Sequence, residues 1–202
     1  MCSWLRWQAL AMGSNLSPGF LVAAPALLDP NFRRSVVLLV DHREEGSLGF
    51  VINRPGEVSF EEVIQALSLR ADEVPRARAE VLVGGPVAPE TGWILFDEVD
   101  PEAEDDCELV RVTEHLAVSA SRELLVSMLQ DERERRMLLA LGYASWGPGQ
   151  LDSEISQGAW IAVDLDERIV FETPYEQRWA AALAILGIDP ARLSMVGPSD
   201  VS

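Results

Sequence analysis

The residue types that could do chemistry fall in four places along the chain. The first holds Ser35 and His42, with Asp29 and Asp41 as carboxylates within reach in sequence. A serine, a histidine and an acid are the parts of a hydrolase triad. Ser35, however, lies between Arg34 and the β-branched run Val36-Val37, with no G-x-S-x-G elbow around it. A hydroxyl that satisfies backbone groups at a strand start is the structural alternative, and it is the expected one.

The second place is Asn53-Arg54-Pro55. Proline biases the residue before it towards extended geometry, and an asparagine side chain readily bonds nearby backbone. An arginine held that way could grip a carboxylate or phosphate with two parallel N–H groups. An internal ion pair with one of the many acids is the alternative. The third is Gly84-Gly85-Pro86, where glycine would let a ligand approach the backbone. It lacks the spacing of a dinucleotide fingerprint, and a tight turn accounts for it as well.

The fourth is the stretch Gly142-Tyr143-Ala144-Ser145-Trp146-Gly147-Pro148-Gly149-Gln150-Leu151, followed by Glu154. A glycine-rich turn entering a helix presents free N–H groups to an anion. Tyr143 and Trp146 could supply a stacking wall, Gln150 a hydrogen bond, and Glu154 faces the same way one turn on. Equally, the aromatics could be core anchors that the glycines admit. Asn53, Arg54, Gly84, Gly85, Tyr143, Trp146, Gln150 and Glu154 together make up the candidate ligand or partner surface. No catalytic residue is assigned.

Composition removes several chemistries. All 16 basic residues are arginine, so a Walker lysine and a Schiff-base lysine are both excluded. Cys2 and Cys107 lie far apart, and His42 and His115 are the two histidines; no closed zinc site of ordinary spacing can be drawn. Two reduced thiols of a cytoplasmic protein are the expectation. The run Glu98 to Glu108 is strongly acidic but lacks the glycine and ligand ladder of a calcium loop, and is expected to be solvated. No cofactor or metal is predicted.

The 33 acids outweigh the arginines to a formal charge of -17. Such a field opposes phosphate backbones and anionic membrane surfaces, so nucleic acid is a disfavoured partner. No apolar run reaches the roughly 20 residues that span a bilayer. An unidentified protein or small molecule is the expected partner. At 202 residues the chain can bury roughly 70% of its unfolded surface without staples.

The elements that must position these groups follow from patterning. Gly19 to Ala24 reads as a strand, followed by a Pro/Asp/Asn-rich connection from Pro25 to Phe32. Val36 to Val40 reads as a strand buried on both faces. Glu44-Glu45-Gly46 turns it back into Leu48 to Ile52. Ser59-Phe60-Glu61-Glu62 is a capping box opening a helix that turns Val63, Ala66 and Leu67 to one side. Arg70 to Arg78 reads as a loop, and Glu80 to Val83 and Trp93 to Phe96 as strands. Short strands at Leu109 to Val112 and Leu116 to Val118 precede a helix from Ser121 to Gln130, with Leu124, Leu125, Met128 and Leu129 on its apolar face. Met137 to Tyr143 reads as a buried strand. A helix starting near Pro148 ends by Gln157 with Gly158 as its stop.

Further on, Trp160 to Val163 and Ile169 to Phe171 suggest a second hairpin-like pair. Thr173-Pro174-Tyr175-Glu176 predicts another capped helix, which carries Trp179, Leu183 and Leu186 inward and stops at Gly187. Irregular mixing of strands and helices, without a repeat or a linker, predicts an α+β fold. Residues 1–15 are expected to be a disordered arm or an over-called start, 16–196 one domain, and 197–202 a frayed tail.

Three long ordered stretches and one short one resemble a known family. They are Gly19 to Pro25 with Asp29-Pro30-Asn31-Phe32-Arg33-Arg34-Ser35-Val36-Val37, then Asp41 to Pro55, then Leu141 to Leu151 with Glu154 and Trp160, plus Gly84-Gly85-Pro86-Val87. On these the chain is similar to the YqgE/AlgH family from about Leu16 to Met195. The resemblance implies a bacterial, cytoplasmic protein with a single α+β domain, whose mixed, bifurcated sheet forms a pseudo-barrel with flanking helices. It implies no reaction, since the family has no established one, and offers only a label as a transcriptional regulator of alginate synthesis. The functional expectation is therefore a non-enzymatic regulatory or binding protein. The alternative is an enzyme or small-ligand protein with its site around Arg54 and Tyr143–Glu154. Two family histidines are missing: Leu95-Phe96 stands where a Leu-His pair is usual, and Val196-Gly197-Pro198-Ser199 where many members end Gly-His-Ala.

Overall fold

The computed structural model describes residues 16–68, 79–97, 109–130 and 135–190. The expected arm at 1–15, Cys2, the Arg70 to Arg78 loop, the acidic run Glu98 to Glu108 with Cys107, and the tail at 197–202 lie outside the described residues. The described chain is α+β, as the pattern predicts, and divides into two compact units. One is built from Pro55–Tyr143; the other takes the chain up to Arg54 and again from Ala144 onward.

In the first unit the helix α1 (Phe60–Ala66) starts where the capping box places it. Ser59 Oγ accepts from Glu62 N at 3.2 Å, and Glu62 returns a carboxylate to Ser59 N at 2.7 Å. Its buried residue is Ile64, with Val63 and Leu67 packed beside it; Ala66, expected inward, is exposed. The difference is one position on the helical wheel, and the bulkier isoleucine takes the core. β4 (Glu80–Val83) runs parallel to the start of β8 (Met137–Trp146), and β5 (Val87–Phe96) runs antiparallel to it. β5 also pairs β7 (Ala117–Ser119), which pairs β6 (Leu109–Arg111). The helix α2 (Arg122–Gln130) lays Leu125, Met128 and Leu129 onto this ladder, among Ile94, Phe96 and Leu139.

The second unit holds the last residues of β8, whose Ala144, Ser145 and Trp146 pair β3 (Gly46–Val51). β3 forms the expected hairpin with β2 (Val36–Arg43), which pairs β1 (Gly19–Ala23), which pairs β9 (Trp160–Asp164). Val36, Val37, Leu38 and Leu39 are all fully buried, as an unbroken apolar run requires when both faces are covered. β8 thus changes partners along its length, from β4 and β5 to β3, and the ladder as a whole is mixed. Three short helices follow: α3 (Gln150–Ser156), α4 (Glu167–Phe171) and α5 (Tyr175–Ile185).

Three expectations fail here. Ile169 to Phe171 is not a strand; it lies in α4, because Asp166 caps that turn by accepting from Arg168 N at 3.0 Å. Short apolar runs carry no period that separates the two states. The predicted Thr173 cap is also absent: Pro174 stands at the N-cap of α5 with no side-chain bond. The Thr173 hydroxyl instead donates to Arg168 O at 3.2 Å, closing the end of α4. At the far end Gly187 stops α5 with a left-handed φ of 67°, and Leu186, expected inward, is exposed. Arg178, Trp179, Ala182 and Leu183 form the buried face.

Candidate functional site

The structure binds Trp146, Gln150 and Glu154 into one cluster and adds Phe32 and Trp160. Trp146 ends β8 and Trp160 opens β9, so the two ladders bring their rings together at 5.8 Å in an edge-to-face contact. Phe32 meets Trp146 at 6.2 Å and Trp160 at 5.4 Å. Glu154 on α3 reaches into this group. One carboxylate oxygen accepts from both indoles, Trp146 Nε1 at 3.0 Å and Trp160 Nε1 at 2.8 Å. The other accepts from Gln150 Nε2 at 2.8 Å, and Gln150 Oε1 accepts from Gly147 N at 3.0 Å.

An ionised acceptor makes each of these bonds about twice as strong as a neutral pair. The cluster satisfies two buried indole donors that would otherwise destabilise the core. Trp146 is therefore an anchor, not a solvent-facing wall. The turn into α3 is likewise closed, since Gly147 N is held by Gln150 and Gln150 N donates to Gly147 O at 3.1 Å.

Asn53 and Arg54 serve the loop ahead of β2. Asn53 Oδ1 accepts from Val36 N and its Nδ2 donates to Arg34 O, each at 2.8 Å. Arg54 donates to Pro30 O at 2.6 Å and Arg33 O at 3.1 Å. Partial burial lowers the proton affinity of Arg54, repulsion from Arg33 adds to this, and Asp29 opposes it. It remains a cation throughout ordinary pH.

Gly84, Gly85 and Tyr143 belong to the first unit. Gly84 N donates to Leu141 O at 2.8 Å. A side chain at Gly84 would strike the Gly142 carbonyl, and Gly142 itself has a left-handed φ of 72° with the Gly85 carbonyl 2.6 Å from where a Cβ would sit. These glycines admit neighbouring backbone. Tyr143 packs edge-on against Trp93 at 6.0 Å.

The serine, histidine and acid groups meet differently from the triad pattern. Ser35 is fully buried with no bond to its hydroxyl. His42 Nδ1 instead contacts Ser47 Oγ at 2.7 Å, and its Nε2 lies 3.4 Å from Asp152 Oδ1. Asp29 holds Asn31 N, and Asp41 pairs with Arg43 at 2.8 Å. Ser47 is buried at 4% exposure, which leaves it out of reach of a substrate. Among the described residues no group of three His, Cys, Asp or Glu side chains could hold a metal ion, and no helix is long and apolar enough to cross a membrane.

Sequence reasoning missed Phe32, Ser47, Asp152 and Arg178. Arg178 is almost fully buried and donates to Thr173 O at 2.9 Å and to the carbonyl of Ile52.

Comparison with known proteins places this geometry among relatives. Residues 20–191 match the family model described as DUF179, AlgH-like. A UPF0301 protein of Anaeromyxobacter dehalogenans is 45% identical over 182 residues, covering 88% of this chain and 91% of its own. A UPF0301 protein of Burkholderia mallei is 40% identical over 180 residues, covering 89% and 93%. The solution structure of the AlgH protein from Pseudomonas aeruginosa matches with a TM-score of 0.72 at 32% identity, covering 93% of this chain and 98% of that one. A crystal structure from Corynebacterium diphtheriae, at 22% identity and a TM-score of 0.64, covers 91% and 93% and shares the fold.

Proposed function

The chain belongs to the AlgH-like family, and from that premise we propose that it works as a non-enzymatic binding protein of regulatory type. Its partner is a small molecule or a protein, which it holds without turning over. The observation that carries this reading is the state of Glu154. It gives its carboxylate to Trp146, Trp160 and Gln150, which leaves it a structural rather than a reactive group. A general base must reach the proton it removes, and Glu154 is turned to the core. The negative field of the chain supports a small-molecule or protein partner over nucleic acid, and the same charge suits a cytoplasmic protein kept apart by self-repulsion.

A thermal-shift screen against a metabolite library, followed by mass spectrometry of the hits, tests this reading. A ligand that binds the folded state alone raises the melting temperature with the logarithm of its saturation. The expected result is at least one saturable shift with the ligand recovered unchanged. Chemical conversion of a hit by the protein would end the non-enzymatic reading. Tight binding of duplex DNA at physiological salt would end the preference among partners.

A further inference from the structure

Three arginines of the second unit, Arg33, Arg34 and Arg54, belong to or brace one loop. The segment from Asp29 to Arg34 is braced from within: Phe32 N and Arg33 N both donate to Asp29 O, at 3.0 and 2.7 Å, and Asn31 N donates to Asp29 Oδ1 at 2.7 Å. Arg54 grips the Pro30 and Arg33 carbonyls, and Asn53 the Arg34 carbonyl. This bracing holds Arg34 at a left-handed φ of 56°, a conformation uncommon for a residue with a long side chain. Strain of this kind persists where the surroundings over-determine it, and it collects at ligand sites.

The guanidinium groups so presented are poorly used by the protein itself. The Arg33 side chain makes no hydrogen bond or ion pair among the described residues. Arg34 lays its guanidinium over the Trp179 ring at 5.5 Å, a contact that fixes its position and leaves its N–H edges open. Among the described residues Arg54 uses two N–H groups, both on carbonyls. Three other arginines pair with acids directly, Arg43 with Asp41, Arg136 with Asp97 and Arg168 with Asp166. Here Asp29 acts on Arg54 against the repulsion of Arg33. Two cations on a braced loop and a third that braces it, with so many carboxylates elsewhere in the sequence, form a positive site in a negative protein.

We propose that Arg33, Arg34 and Arg54 bind a small anion through its phosphate group; this deepens the binding reading above and rests on it. Planar guanidinium forks match phosphate oxygens in pairs. A pre-braced loop removes much of the ordering cost of capture.

Pyrophosphate titrated into the full-length protein is the probe, read by isothermal calorimetry and by melting temperature, with citrate in a parallel arm. The unmodified protein binds pyrophosphate saturably and more tightly than citrate. The double variant Arg33→Gln/Arg34→Asn keeps its ligand-free melting temperature and loses affinity at least about tenfold. Asp29→Asn, which can still accept from Asn31, binds more tightly. Equal affinity for citrate would overturn the phosphate assignment. Undiminished binding by the double variant, or no binding by the unmodified chain, would overturn the site and leave the non-enzymatic reading standing on other ligands. Release of inorganic phosphate, lost in the double variant, would sustain the site and overturn that reading instead.

Discussion

Two loops of the second unit use the same kinds of residue to opposite ends. The turn from Trp146 through Gln150 to Glu154 closes on itself, each carboxylate oxygen of Glu154 taken up by an internal donor. The loop from Asp29 to Arg34, with Asn53 and Arg54 behind it, is equally well braced through its backbone but turns guanidinium groups outward. Both are ordered, and both are polar. The difference lies in where the charge ends up: at the first it is consumed in holding the core, and at the second it is left facing solvent. A braced loop with unused donors has binding capacity, whereas a saturated one has stability.

Substitutions should separate the two, beginning with the largest effect. Glu154→Ala orphans two buried indole donors and is expected to destabilise the fold by about 2–4 kcal/mol, read as a lowered midpoint in urea with the m-value unchanged. A loss under about 0.5 kcal/mol would erase the contrast. Arg54→Gln removes two charge-assisted bonds to carbonyls and should cost about 1.5–3 kcal/mol while also weakening pyrophosphate binding. It alone should fail on both counts, since it braces and binds.

Ser59→Ala, in the first unit and remote in function, calibrates an ordinary polar contact at about 1 kcal/mol of cap stability. The Glu62 carboxyl is held below its usual range by its bonds to Ser59. Its contribution is therefore present above the ordinary carboxylate pKa and is lost as pH falls through the depressed value. Acid titration of the unmodified protein and Ser59→Ala should leave a gap between them at low pH, because the bond from Glu62 N to the Ser59 hydroxyl does not titrate. The smallest effect belongs to Arg33→Gln/Arg34→Asn, expected within about 0.5 kcal/mol of the parent, because asparagine tolerates the left-handed backbone at position 34. A larger loss would show that these arginines brace the fold.

Much of the local structure was legible because its causes are local. The β2–β3 hairpin follows from an apolar run, an acidic glycine turn and a second apolar run. The Ser59 capping box needs only residues three apart, and it forms as patterned. Where a competitor for the same group lay nearby, local reading failed. Thr173 had the right neighbours for a cap, but the exposed Arg168 carbonyl at the end of α4 took its hydroxyl. Ile169 to Phe171 carried too few residues to show a period.

The site was legible by residue type but not by role. Trp146, Gln150 and Glu154 were readable as a polar and aromatic group near a helix start. That Glu154 would turn inward depended on Trp160 arriving from another strand, which no spacing within Leu141 to Leu151 announces.

Sequence alone therefore determined the chemistry at hand: arginine as the sole cation, the acidic field, the buried strand β2 and the α+β class. Those are properties of composition and period, which the chain carries before it folds. Tertiary structure decided which polar groups were left over. Hydrogen-bond satisfaction depends on what strands and loops bring within about 3 Å, and the partners of Glu154, Asn53 and Arg54 include groups brought in from other segments of the chain. The closed cluster and the open arginine loop begin as similar strings of polar residues, and only packing made one a cornerstone and the other a surface.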